Sequence, residues 1–529
     1  METKEKFAPT LPDWISYLYK PILPFLKRTI KIRRQGPRNY NPQDILVPEG
    51  YVAELVASGF NAPDHCCFDD KGFWYVIESG HKIDATPRIL KVDPHNGSWV
   101  VFFTLPQERW MKGGAMTGAC WHDGYLYVMN TDTLLRIDAQ GNMTEIVTDL
   151  AGRGDHQAGV PVVGPDRKIY FGVGCATNCG VVGPDNFGFE WLPKFPDFCD
   201  IPAKDIKLRG NNYEARNVLG SISEKVQTGA FVPFGTVTYP DQVIKGSVKC
   251  NGAILRCNLD GSNLEVVAWG LRNPFCVGFT QDGKLFCTEH GMDERGARYI
   301  LDDPDDFYEI QEGEWYGWPD FASGIRLDDP YWGEGGHGRW PVLAEFPNRN
   351  PPKPFVSFET HVAANGFDFC RNTDFGFEGD AFVACFGDLA PITTLKHATV
   401  PSGFKVVRVN MRTGQVFDFA VNKMTGPASK LPHDGFERPS HCQFGPDGSL
   451  YVVDFGIIHI APERGGIRQQ MDTGALWRIR RVARTKGLVP PAPKSVPLYL
   501  IQGLALLVGA IGIGALSVWL LRRLRSRRS

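Results

Sequence analysis

The chain has 529 residues, with 57 Lys and Arg against 59 Asp and Glu and a formal net charge of −2. So even a balance leaves no basic face of the kind that nucleic-acid binding needs, which excludes that class of partner. With 58 glycines and 39 prolines the chain is rich in turns, yet no Ser/Gly linker or block of like charge divides its middle, so most of its length belongs to one repetitive unit.

Residues 1–45 read as a separate N-terminal segment. Leu11 to Leu26 is apolar in patches, is broken by Pro21 and Pro24, and precedes Lys27, Arg28, Lys31, Arg33 and Arg34. This fits an amphipathic helix at phospholipid headgroups better than a cleavable signal peptide. From 46 to 484 one phrase returns six times: an apolar residue, a Gly/Asp turn and an aromatic-rich strand. Its copies are Phe68–Val76, Trp121–Val128, Val163–Phe171, Phe279–Phe286, Phe377–Val383 and Phe444–Val452. Two β-prone runs around an Asp-Gly turn are the strongest short-range hairpin signal. Hairpins of this kind cannot bury both faces alone, and radial stacking of four-stranded blades solves that, so the pattern predicts an all-β, six-bladed β-propeller. Apolar runs with interspersed Arg or Lys at Arg88–Asp93, Leu134–Asp138, Ile254–Asn258, Lys405–Asn410 and Ala475–Arg480 read as outer blade strands with one solvated face.

Two long insertions, from about Gly174 to Lys249 and from about His290 to His361, interrupt the repeats and are expected to cover one mouth of the channel, the place for a functional site. Three polar clusters stand just before first strands: Asp155-His156-Gln157, Arg272-Asn273-Pro274 and Arg438-Pro439-Ser440-His441. Their shared register makes them the candidate site. Of 13 cysteines, most lie in apolar strand-like runs and read as buried thiols, whereas Cys175, Cys179, Cys199 and Cys250 lie in or beside the first insertion. A disulfide is expected there, with Cys199–Cys250 the first choice.

Residues 485–495 form a Pro-rich spacer. Beyond it, 496–521 has no ionisable side chain except Tyr499 and is long enough to cross a hydrocarbon core as a helix. The basic tail 522–529 would face the cytoplasm and place the propeller outside it.

The motifs GDHQAGVPVVGPDRKIY from Gly154 to Tyr170, GLRNPFCVGFTQDGKL from Gly270 to Leu285, EHG from Glu289 to Gly291 and WYGWP from Trp315 to Pro319 resemble the pyrroloquinoline-quinone (PQQ) glucose/sorbosone dehydrogenase family. The resemblance spans roughly Asn61 to Arg481 and implies a six-bladed propeller that holds PQQ and Ca²⁺ at the channel mouth. It further implies oxidation of a sugar hydroxyl by hydride transfer to the quinone and, with the membrane segment, electron delivery to a respiratory acceptor. By this resemblance His156 is the general base, Arg272 and Asn273 hold the reacting quinone carbonyls, Gln157 and Arg438 also contact the cofactor, and the carbonyls of Gly291 and Met292 ligate Ca²⁺. Three departures accompany it: Cys175 stands where the family has an Asp that orients the histidine, Gly387 where it has a Lys, and Ser440 where it has an Arg. They leave a non-catalytic sugar- or protein-binding propeller as the alternative.

Overall fold

The computed structural model describes residues 37–81, 85–110, 115–188, 191–333, 339–346, 350–394, 400–461 and 466–482. The amphipathic helix expected before residue 37, the spacer, the apolar stretch 496–521 and the basic tail lie outside them. Among the described residues no helix is long and apolar enough to cross a membrane.

Six four-stranded antiparallel sheets follow one another as blades. Blade 1 is Pro63–Phe68, Trp74–Glu78, Arg88–Val92 and Trp99–Thr104, and blade 2 is Met116–His122, Tyr125–Asn130, Thr133–Asp138 and Met143–Val147. Blade 3 is Val162–Val163, Lys168–Val173, Ala253–Asn258 and Glu265–Trp269, and blade 4 is Pro274–Phe279, Leu285–Glu289, Pro304–Glu309 and Val356–Thr360. Blade 5 is Ala364–Phe369, Ala381–Cys385, Lys405–Val409 and Val416–Asn422, with Ile45–Leu46 added at its outer edge. Blade 6 joins Pro439–Phe444, Leu450–Asp454 and Gly474–Arg481 to Tyr51–Phe60, which comes from the other end of the chain. Tyr51 pairs with Arg481 and Phe60 with Gly474, so the ring is closed by hydrogen bonds between distant segments.

The recurrent phrase is the hairpin between the first two strands of each blade. The fifth copy is displaced: Phe377 lies in the turn, with φ 62° and an exposed ring, and the strand begins at Ala381. The runs expected as outer strands are third strands, and most of their apolar side chains are buried between neighbouring blades. The packed body also starts before residue 46. Arg38 is buried and donates to Asp454 Oδ2 at 2.5 Å and to the carbonyl of Thr473 at 2.7 Å.

One irregularity recurs. In five blades the first hairpin slips register near the start of the inner strand, between Pro63 and His65, Met116 and Gly118, Pro274 and Cys276, Ala364 and Phe367, and Pro439 and His441. A bulge at that level kinks each inner strand where it enters the channel mouth and re-aims the residues beside it.

Both insertions reach that same end, but the second is shorter than expected, because Pro304–Glu309 and Val356–Thr360 within it are the third and fourth strands of blade 4. The first leaves blade 3 after Val173 and returns at Ala253, while the second runs beside the outer strand of blade 3 through Gly313 N–H to Val267 O and Tyr316 N–H to Trp269 O. They share a sheet of Pro240–Ile244, Ile206–Arg209 and Ala344–Glu345. All 13 cysteines are unpaired, contrary to the expected Cys199–Cys250 bridge. The neck of the insertion is closed by hydrogen bonds instead: Asn251 N–H to Ile201 O at 3.1 Å, and Ile201 N–H to the Asn251 side-chain oxygen at 2.9 Å.

Candidate functional site

Two of the three clusters converge. Residues 155–158 pair with 173–176, through His156 N–H to Cys175 O and Gly174 N–H to Gln157 O, and this carries His156 to the end of blade 3. Cys175 N–H in turn donates to Arg272 O at 2.7 Å, which ties that lead-in to blade 4. Gly174 is the point of contact. A Cβ there would lie 2.4 Å from the His156 Cβ and 2.7 Å from the Asn273 side-chain oxygen, so the two side chains meet across a residue that has none.

His156 Nδ1 lies 2.9 Å from the main-chain carbonyl of Cys175. A carbonyl only accepts, so Nδ1 carries the hydrogen and Nε2 keeps its lone pair when the ring is neutral. Burial first, then the charges of Arg272 and Arg295, hold the imidazole well below its ordinary value. The neighbouring Asp155 does not orient the ring. It binds Arg295 at 2.6 Å and accepts from the Asn186 amide at 2.9 Å.

Arg272 is buried, and each of its three guanidinium nitrogens makes one hydrogen bond. Its Nε donates to Asn178 Oδ1 at 3.0 Å, Nη1 to the His290 carbonyl at 3.3 Å and Nη2 to Asp293 at 3.1 Å. Burial pushes the Asp293 carboxyl up, but Arg272 and Arg295 outweigh it and hold the group well below the usual range. Asn273 donates its amide to His290 Nδ1 at 2.8 Å, while His290 Nε2 lies 3.1 Å from the Ala364 carbonyl. That pair of contacts fixes His290 as the neutral Nε2–H tautomer, in keeping with the depression of its pKa by burial. The main-chain N–H groups of Arg272 and Asn273 both point at Glu289, whose carboxyl burial pushes up to about 8.

Gly291 and Met292 present their N–H groups to Asp305 at 2.9 Å and Asp303 at 2.6 Å. They line a cavity of about 20 Å³ together with Glu289, Asp303 and Asp306, room for one water or ion. Burial raises Asp303 to about 8 and Asp306 to about 7. Among the described residues no three His, Cys, Asp or Glu side chains gather as a metal site, so a cation here would rest largely on main-chain oxygens. The acids that line it carry hard oxygen atoms, as Ca²⁺ requires.

The third cluster is spent differently. Arg438 is buried at the start of the inner strand of blade 6, with Nη1 donating to the carbonyls of Gly387 at 2.9 Å and Asp388 at 3.0 Å. Gly387 has no room for a side chain, because a Cβ would fall 2.5 Å from the Phe404 ring, and Ser440 turns its hydroxyl to Pro63 O at 3.1 Å. Sequence reasoning missed Asn178, His290, Asp293 and Arg295. Only His290 left a trace, as a residue of the motif EHG.

Residues 247–454 match the model of the Glucose / Sorbosone dehydrogenase family. The chain is 23% identical to quinoprotein glucose dehydrogenase B of Acinetobacter calcoaceticus over 312 residues, 54% of this chain and 55% of that protein. It thus spans about half the length of the curated relative it matches. Its fold is similar to that of the pyranose dehydrogenase PQQ domain from Coprinopsis cinerea, with a TM-score of 0.52 at 15% identity over 84% of this chain and 98% of that one. The calcium structure of the Trichoderma reesei Carbohydrate-Active Enzymes Family AA12 protein gives 0.53 at 14% identity, over 84% and 99%. The segment that carries Arg272, Asn273, Gly291, Met292 and Arg438 therefore has the sequence signature of the glucose/sorbosone dehydrogenase family, on a six-bladed propeller that extends to both sides of it.

Proposed function

We propose that this protein is a sugar dehydrogenase that oxidises a hydroxyl-bearing carbon of an aldose- or polyol-type substrate with PQQ and Ca²⁺. The observation that carries the reading is the neutral His156, whose Nε2 is left free to take a proton while Arg272 and Asn273 stand beside it. The family match and the quinoprotein relative support the same chemistry.

The residues present fit the cofactor at both ends. Arg272 and Asn273 are donors beside the base, and Arg438 is a buried cation held by carbonyls and free to meet a carboxylate. Gln157 follows His156 in the same lead-in and would contact the cofactor as well. The oxygen-lined pocket at Gly291 and Met292 would hold Ca²⁺. Bound there, PQQ would supply the two-electron acceptor that no side chain provides. His156 Nε2 would withdraw the hydroxyl proton, and the Arg272 guanidinium would favour negative charge gathering beside it. The Cys175 carbonyl keeps the tautomer correct but brings no full charge to support an imidazolium, so the base is oriented and only weakly assisted.

A second reading, a binding propeller without turnover, draws on that missing carboxylate. Anchoring by 496–521, with the propeller outside the cytoplasm and electrons passed to a respiratory acceptor, belongs to the proposal and rests on the sequence. Titration of the full-length apo-protein with PQQ and Ca²⁺, followed by absorbance and by dye reduction with a panel of aldoses, tests it. Saturable micromolar binding with sugar-dependent reduction is the expected result. Binding without turnover selects the second reading, and no binding removes the cofactor altogether.

A further inference from the structure

Five arginines are buried among the described residues. Four of them meet a carboxylate: Arg38 pairs with Asp454 at 2.5 Å, Arg272 with Asp293 at 3.1 Å, Arg295 with Asp155 at 2.6 Å and Arg298 with Asp320 at 2.8 Å. Arg438 is the exception. Its Nη1 reaches two carbonyls, the faces of Phe386 and Phe404 lie 5.0 and 4.9 Å from its guanidinium carbon, and Nε and Nη2 have no partner among the described residues. Burial pushes the group down to about 10, because Asp388, Glu437 and Asp454 offset that cost only in part. A buried cation without a paired anion is expensive and marks a place where an anion belongs.

A second cation lies on a turn packed against the two residues that precede Arg438. Lys430 ends the short turn Ala428–Lys430, which is clamped to the approach of blade 6 by Ala428 N–H to Phe436 O at 2.9 Å and by Ser429 Oγ–H to Glu437 Oε2 at 3.1 Å. The residue as a whole is exposed, and its ammonium has no ion pair among the described residues. Surrounding protein and then the Arg438 charge hold it below its ordinary value. The adjoining Glu437 offsets the pair only in part, since burial raises its carboxyl to about 7. The two like charges, neither of them ion-paired among the described residues and only partly offset by Asp388 and Glu437, repel one another and favour an anion between them.

We propose that Lys430 and Arg438 together receive the carboxylates of a planar, multiply charged ligand, with Lys430 supplying a cation that positions 387 and 440 lack. The inference rests on the quinone-cofactor reading for the identity of that ligand, but not for the existence of the anion site. The test titrates full-length parent, Lys430→Glu, Lys430→Arg and a control, Lys423→Ala, with PQQ by absorbance, and with benzene-1,3,5-tricarboxylate by thermal shift. Lys423 is an exposed lysine already paired with Asp44 at 2.6 Å. Lys430→Glu should weaken PQQ binding by about tenfold or more, as loss of a charge-assisted contact does. Lys430→Arg and Lys423→Ala should stay within about threefold, and raised salt should shrink the difference between parent and Lys430→Glu. Lys430→Glu binding within about twofold of the parent overturns the proposal. If PQQ fails to bind the parent while the tricarboxylate stabilises the parent and not Lys430→Glu, the anion site stands and the cofactor reading falls. If neither probe acts on the parent, both fall.

Discussion

At the scale of single residues, the site depends on a hydrogen bond from a ring to a main-chain carbonyl. His156→Ala should lower turnover by about 10² or more, the usual effect of losing a general base, and leave PQQ affinity within a few-fold. Cys175→Ala should keep turnover within about threefold, because the group that orients His156 is the carbonyl, which the substitution retains, while the thiol only donates to Leu271 O at 3.3 Å. Steady-state dye reduction beside PQQ titration distinguishes the two outcomes. The sign of the pH dependence follows from the depressed His156 value. The neutral ring is the base and stays neutral to lower pH than a free histidine, so the acid limb of kcat/KM should lie below about 6.5, and activity should fall only as pH drops beneath it.

At the scale of elements, the lead-ins to blades 3 and 4 meet at Gly174, where any side chain collides with both His156 and Asn273. Gly174→Ala should destabilise the protein by about 1–3 kcal/mol through overpacking and lower turnover more than PQQ binding, measured by denaturant unfolding beside kinetics. The cavity under blade 4 makes stability depend on pH between the acid range and about 8. Glu289 and Asp303, raised to about 8, are protonated in the folded state at neutral pH but ionised in the unfolded chain above about 4. The folded state binds more protons between those values, so their contribution is full at low pH and lost as pH rises through about 8. Tm should therefore fall as pH rises from about 5 to about 8 and level off beyond it, and Glu289→Gln, which still offers an oxygen to the N–H groups of Arg272 and Asn273, should flatten that fall.

The elements also show what a sequence carries openly. Five of six hairpins announce themselves because turn chemistry and strand alternation sit within about ten residues, and the fifth slips because Phe377 belongs to a wider turn between Cys370 and Asp380. His156, Arg272 and Asn273 were legible through their shared register before first strands. The Cys175 carbonyl was not, since main-chain acceptors have no letter. Lys430 was hidden for another reason: it lies in a turn outside the repeat, and only the packing of that turn against Phe436 and Glu437 brings it to Arg438.

At the scale of the whole molecule, the ring holds because its two ends are sewn together. Arg38 and Asp454, 416 residues apart, are buried as a pair, and Arg38 also caps the carbonyls of Thr473 and Gly435. Arg38→Ala would leave Asp454 charged and unpaired in the interior. It should cost about 3–5 kcal/mol, read from the midpoint of chemical unfolding.

The closing strand Tyr51–Phe60 gives synthesis of this chain a timetable. Glu54 and its partner Arg478 are 424 residues apart, so at ordinary rates of translation the strand is made on the order of tens of seconds before its partner exists. A ten-residue β-prone segment left waiting that long invites pairing with other nascent chains. Glu54, in the middle of the strand, is a charge that discourages such pairing, and in the finished ring it is clasped by Arg478 at 2.6 Å and Arg480 at 2.8 Å. Glu54→Val should therefore reduce soluble yield during expression far more than it lowers the Tm of the protein that does fold. The acid that locks the ring shut would then be the same one that keeps the unfinished chain from sticking to its neighbours.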